Sequence, residues 1–343
     1  MLRRNVRFRR QSGHDRMNNR REFITLLGCA GVAWPLAARA QQPMPVIGFL
    51  SSLAPNDQTH VLPAFQQGLD RTGFLEGRNI VVEYRWAEGD YRRLPALAAE
   101  LVNRKVAVIA AISGTPAALA AKAATTTIPI VFAIGGDPVA PGLISSLSRP
   151  GGNITGVSFF NAPVVGKRLE LARELAPRGS AIAMLVNPNN PPSAEEGVTA
   201  QKAAAAVGQP LLLVTAATQD EIDAAFAAIR RERVGVLLVS PDPLFFSERA
   251  KLVVLMARHA LPTIFADREQ AAAGGLISYG SSRTDAYRQA GEYVGRIVRG
   301  ERPGELPVVL PTKFHLVINL KTAKSLGIEI PGTVLARADE VIE

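Results

Sequence analysis

Apolar residues in this chain come in two rhythms. Short unbroken apolar runs suit strands buried on both faces. They alternate with segments whose apolar positions recur every three or four residues, as on one side of a helix. The alternation is plainest over residues 106–138, VAVIAAISGTPAALAAKAATTTIPIVFAIGGDP. There an apolar run at 106–112 ends in Ser113-Gly114-Thr115-Pro116, and a second at 128–134 ends in Gly135-Gly136-Asp137-Pro138, with an alanine-rich segment between. The pattern predicts strand, tight turn, helix and strand, a parallel βαβ unit. Thr115 is the expected N-cap and Pro116 the first helical residue, where its missing N–H costs nothing.

The same rhythm runs both ways from this unit. Ahead of it lie a strand at 46–50 ending in Ser51-Ser52, a helix marked by Phe65 and Leu69, a strand at 79–86 ending in Trp86, and a helix marked by Leu94, Ala98 and Leu101. Arg149-Pro150-Gly151-Gly152-Asn153 breaks the rhythm, and the short run at 154–160 is expected to cross into a second lobe. That lobe repeats the alternation, with strands at 181–186, 211–214, 234–239 and 263–265. Ser193 with Glu196, and Thr218 with Glu221, have capping-box spacing at two helix starts. Residues 276–279 should cross back, 285–299 form a helix, and 314–318 a third crossing strand. The fold class is therefore α/β: two Rossmann-like lobes with parallel sheets joined by three crossing strands. Lobe 1 would comprise 44–153 with 280–312, and lobe 2 would comprise 154–279 with 313–343. Such a clamshell binds its ligand in the cleft between the lobes.

Charge first points elsewhere and then does not. The 343 residues carry a formal net charge of +9, which suggests a polyanionic partner. Residues 1–40, however, hold nine Arg and no Lys against Asp15 and Glu22, so the rest of the chain is close to balanced. No nucleic-acid partner is expected. The leader instead has the form of an export signal of the twin-arginine type. Arg20-Arg21-Glu22-Phe23-Ile24 precedes a modest apolar stretch, and Ala38-Arg39-Ala40 supplies a cleavage site after Ala40. The expected location is the periplasm. Cys29, the sole cysteine, lies in this leader within a loose lipoprotein box; cleavage after Ala40 is the preferred reading, and it leaves a mature chain free of thiols.

Motifs for catalysis are missing. The chain has no phosphate loop, no dinucleotide loop and no nucleophile elbow, and His60, His259 and His315 stand alone. Neither a metal nor a cofactor is expected. Polar residues gather instead at strand ends: Ser51 and Ser52, Ser113 to Thr115, Gly135 and Asp137, Asn187 and Asn189, Asp242, and Asp267. In a two-lobed α/β protein these ends converge on the cleft. Helix-start N–H groups with Ser113 and Thr115 suit a ligand carboxylate. Asp242 or Asp267 could take an ammonium, and Trp86, Phe160 or Tyr279 could stack on an apolar body.

Long runs of the chain resemble a known family. They include RREFITLLG, PVIGFLSS, VEYRWAEGDYRRLPALAAELV, GTPAALAAKAATTTIPIVFAIGGDPV, SLSRPGGNITGVSF, KRLELARELAP and LVNPNNP. The resemblance is to the ABC-transporter substrate-binding proteins, a family similar to the tryptophan-binding periplasmic proteins, and spans nearly all of residues 20–335. It implies a type I periplasmic-binding-protein fold, no enzymatic activity, and capture of a small solute for a membrane permease and its ATPase. It also implies that the loop matching Ser113 to Thr115 holds a ligand carboxylate, with an acidic partner near Asp267. Arg268 directly follows Asp267, and if it neutralised that carboxylate an organic acid would suit better than an amino acid. Two other readings stay open here: a ligand-binding subunit serving a membrane receptor, and an α/β enzyme with a dispersed site.

Overall fold

The computed structural model describes residues 44–159, 164–177 and 179–343. The expected export signal, its cleavage after Ala40, Cys29 and Phe160 lie outside the described residues.

Two sheets organise the chain. Sheet 1 has the order β2-β1-β3-β4-β5 and is parallel throughout. Its strands are β1 (Val46–Ser51), β2 (Val81–Trp86), β3 (Val108–Ile112), β4 (Ile130–Ile134) and β5 (Ile154–Ser158). Helices α1 (Leu62–Arg71), α2 (Leu94–Asn103) and α3 (Thr115–Ala124) connect them. Sheet 2 has the order β12-β11-β10-β9-β8-β6-β7. It is built from β6 (Ala181–Val186), β7 (Leu211–Thr215), β8 (Val234–Val239), β9 (Thr263–Phe265), β10 (Ile277–Ser281), β11 (Phe314–Asn319) and β12 (Glu340–Ile342). Only β10 and β11 pair antiparallel in it. Its helices are α4 (Val165–Leu175), α5 (Pro191–Ala206), α6 (Gln219–Arg231), α7 (Pro243–Ser247), α8 (Arg249–Arg258) and α9 (Arg268–Ala272). Helix α10 (Arg283–Val298) returns to sheet 1, and α11 (Leu320–Leu326) and α12 (Gly332–Leu335) close the chain.

The unbroken apolar runs are the central strands. β3 and β4 are buried at every residue because helices cover both faces of sheet 1. Val108, Ala110 and Ile112 turn toward α1 and α10, while Ile109 and Ala111 turn toward α2 and α3. Helix α10 packs on α1 at close range. A Cβ added at Gly68 would lie 1.9 Å from the Arg288 carbonyl oxygen, and one at Gly291 would lie 2.1 Å from that of Phe65. The two glycines let the backbones meet.

The chain passes between the sheets three times: after β5, between β10 and α10, and between Val309 and β11. This differs from the expectation for residues 154–160. Ile154–Ser158 is the last strand of sheet 1, paired with β4 from Ile130 to Ile134, so the passage to sheet 2 comes after Ser158. A five-residue buried strand reads the same in either sheet. Helix α3 starts one residue earlier than expected, with Gly114 as N-cap and Thr115 already helical.

Candidate functional site

The carboxyl ends of both sheets face one cavity. It is lined on the sheet 1 side by Leu53, Ser113 to Thr115, Gly135 and Gly136, and on the sheet 2 side by Asn190, Pro192, Asp242, Pro243, Phe246 and Asp267. Phe159 and Arg283, which flank two of the crossings, complete it. Its volume of about 40 Å³ leaves room for about three waters.

The cleft is shut across its mouth. A Cβ at Gly114 would lie 2.9 Å from Pro243, and one at Gly136 would lie 2.4 Å from Pro192. Tyr91, in sheet 1's lobe, donates its hydroxyl to both Asp242 oxygens at 3.1 and 3.2 Å. Asp57 accepts from the Ser247 hydroxyl at 2.7 Å and from Arg249 at 2.5 Å.

Each polar cluster takes a distinct part. Ser113 sits at φ 68°, a strained value for a residue with a side chain, and Gly114 follows at φ 130°. This kink turns the Ser113 hydroxyl back into lobe 1, where Gln58 donates to it at 2.5 Å and Ser51 at 3.3 Å, and Tyr287 lies 2.6 Å away. The hydroxyl is saturated. Ser51 is fully buried beneath it and lies off the cavity. Ser52 is also buried, with an unpartnered Oγ 3.5 Å from the place a Gly114 Cβ would take.

Asp242 is saturated too. Besides Tyr91 it accepts from Asn187 at 3.0 Å, Asn190 at 2.7 Å and the Leu244 N–H at 2.9 Å. Burial pushes its pKa up, against the pull of these donors. Asp267 is different. Its Oδ1 is buried with no hydrogen-bond partner, and the nearest cation atom is Arg283 Nε at 3.9 Å, beyond hydrogen-bond reach. Burial raises its pKa to about 6, with Arg283 opposing. Arg268 does not neutralise Asp267: it turns to the surface and pairs with Glu340 at 2.5 Å. Arg283 is the cation that faces Asp267, over the Phe246 ring at 4.0 Å.

Several expected site residues lie off the cavity. Trp86 ends an edge strand and shares a face with Tyr84, on which it stacks at 5.6 Å, with Phe49 5.3 Å away. Tyr279 packs into the core of sheet 2 beside Phe314. Asp137 caps its own loop by accepting from the Val139 N–H at 2.7 Å. Asn189 is exposed and donates only its backbone N–H, to Asn187 Oδ1 at 3.0 Å. Asn187 serves by holding Asp242. Conversely, Gln58, Tyr91, Asn190, Phe246, Arg283 and Tyr287 escaped the sequence reading. Arg283 and Tyr287 are four apart on α10, a spacing that also marks any helix face.

The expected capping box at Ser193 and Glu196 is likewise replaced. Ser193 accepts from the Asn187 N–H at 2.8 Å, and Glu196 is buried against Arg168 of α4. Burial raises the Glu196 pKa and Arg168 opposes it. Thr218 does cap α6, accepting from the Glu221 N–H at 3.3 Å. Among the described residues no cluster of three or more His, Cys, Asp or Glu could hold a metal ion.

Two α/β lobes, three passages between them and a cavity at the carboxyl ends of both sheets define a binding protein of the type I periplasmic class. The sequence model of the ABC transporter substrate binding protein family matches residues 54–342, and the chain belongs to that family. It is 28% identical over 265 residues to a tyrosine-binding protein of Clostridioides difficile, covering 77% of this chain and 76% of that one. An ABC domain from Streptococcus pneumonia in complex with L-Trp is 26% identical and superposes with a TM-score of 0.80, over 87% of this chain and 99% of that one. A substrate-binding protein with adhesive properties from Clostridium difficile, in its ligand-free, open structure, is 26% identical with the same coverage, yet its TM-score is 0.62. At equal identity the closer superposition is with the ligand-bound protein, in keeping with the shut cleft described here.

Proposed function

We propose that this protein is the soluble, non-enzymatic component of an ABC import system. It captures a small carboxylate-bearing solute in the hinged cleft and presents it to a membrane permease and its ATPase. The observation that carries the reading is the family match together with a buried, unpartnered oxygen of Asp267, a residue that lines the cavity between the lobes. The aromatic amino acids named for two relatives direct attention to amino acids or aromatic acids. The leader, with its twin arginines and Ala38-Arg39-Ala40, supports export to the periplasm. Among the described residues no helix is long and apolar enough to cross a membrane.

The cavity of about 40 Å³ is far smaller than one of about 150 Å³ that takes up benzene, and does not hold an aromatic body as it stands. Capture therefore requires the lobes to part and close again, and closure on the ligand is the signal the permease would read. The experiment is uptake of labelled amino acids and aromatic acids by cells with and without the gene. Loss of uptake of one compound, restored by the gene, supports the reading. Unchanged uptake of every compound that the purified protein binds would sink the import role and favour a receptor-associated subunit.

A further inference from the structure

The charged groups around the cavity are unequally engaged. Asp242, Asp267 and Arg283 line it. Asp242 has a donor on every side, so it has no capacity left for a ligand. The Asp267–Arg283 pair is incomplete, with 3.9 Å between Nε and Oδ1 and no hydrogen bond to Oδ1. Asn190 Oδ1 is a second buried acceptor without a partner, on the same lobe. Two buried acceptors without a partner cost free energy until a donor reaches them. An ammonium brings three N–H donors.

Arg283 offers the complementary half. Its guanidinium contacts Tyr287 Oη at 3.4 Å and lies 4.0 Å from the Phe246 ring centre, and a guanidinium fork suits a carboxylate. The loop expected to hold a carboxylate offers less. Ser113 is saturated, Gly114 abuts Pro243 and Pro116 has no N–H to give, which leaves Thr115 as the loop's donor to the cavity.

Resting on the solute-binding reading, we propose that the ligand is a free α-amino acid held by its head group, its carboxylate on Arg283 and its ammonium between Asp267 and Asn190. The head group then completes an ion pair that the protein alone leaves open. An acid without the amine leaves both acceptors bare. An amine without the acid leaves Arg283 facing only Asp267.

The test is calorimetric titration of the purified protein with the twenty amino acids. Each binder is then compared with its deaminated acid and its decarboxylated amine, on wild type, Arg283→Met, Arg283→Lys and Asp267→Asn. Wild type should disfavour both analogues by at least about 100-fold. Arg283→Met should bring amino acid and amine to within about threefold while the penalty for the deaminated acid persists, and Asp267→Asn should do the reverse. Arg283→Lys should keep part of the carboxylate preference, as a point charge without the fork. A purely structural Arg283 would weaken all ligands by one factor, and that result overturns the anchor. If Arg283→Met fails to fold by circular dichroism, Arg283→Lys and Asp267→Asn carry the test. Binding of none of the twenty, or equal binding of acid and amino acid, overturns the assignment. Mass spectrometry of small molecules released from the purified protein separates the two readings: release of a compound that is not an amino acid overturns the head-group proposal and leaves solute capture standing.

Discussion

At the scale of single residues the two cleft aspartates have opposite fates for one reason, the number of donors each meets. Asp242 is ringed by N–H and O–H groups, whereas Asp267 keeps a bare oxygen. The sequence places both at strand ends but cannot count their partners. Asp267 carries a pH signature. Its folded pKa of about 6 lies above the unfolded value near 4, so ionising it costs stability as pH rises through that window. Asp267→Asn removes the cost. In urea titrations of the ligand-free protein, the variant should gain about 2–3 kcal/mol on wild type between pH 4 and pH 7. A constant difference across that range would contradict it.

At the scale of elements, two contacts hold the lobes together internally. The α1–α10 crossing depends on Gly68 and Gly291, where a methyl group would meet backbone rather than a movable side chain. Gly291→Ala should lower stability by about 1–3 kcal/mol, read as a drop in the denaturation midpoint with an unchanged slope. In lobe 2 the buried Arg168–Glu196 pair ties α4 to α5. Glu196→Ala leaves a buried guanidinium unpaired and should cost about 3–5 kcal/mol, while the double variant Arg168→Met with Glu196→Leu should recover most of it. Ser-x-x-Glu at a helix start reads as a solvated capping box in sequence, and here burial by α4 turned the same spacing into an ion pair. The helices and strands themselves were legible because their periodicity is local. The assignment of β5 to sheet 1 was not, since a short apolar run carries no label for its partner.

At the scale of the whole molecule, closure is held by side chains reaching between lobes: Tyr91 to Asp242, and Asp57 to Ser247 and Arg249. None of these contacts needs a ligand. Tyr91→Phe removes a hydrogen bond to a charged group, worth about 1.5–3 kcal/mol where buried. The ligand-free variant should therefore be more open than wild type, with a larger radius of gyration in small-angle scattering. Its ligand affinity should be about tenfold weaker, since part of the binding energy then goes to closing the lobes. Identical scattering from both ligand-free proteins would remove the latch. Trp86, stacked on Tyr84 away from the cavity, should change its emission little when ligand binds, even as scattering reports closure.

The alternation of apolar runs and amphipathic segments was enough by itself to determine an α/β chain of two lobes with polar strand ends, because both periods are properties of neighbouring residues. Those ends contained Gly114, Thr115 and Asp267, which line the cavity, and also Asp137 and Asn189, which serve only their own turns. Tertiary structure alone decided between them. It set Arg283, just past a passage between the sheets, against Asp267, and brought Tyr91 to Asp242 across 151 residues and Gln58 beneath Ser113. A polar side chain binds a ligand only if its neighbours leave it unsatisfied, and those neighbours are set by packing between distant segments rather than by anything written beside it.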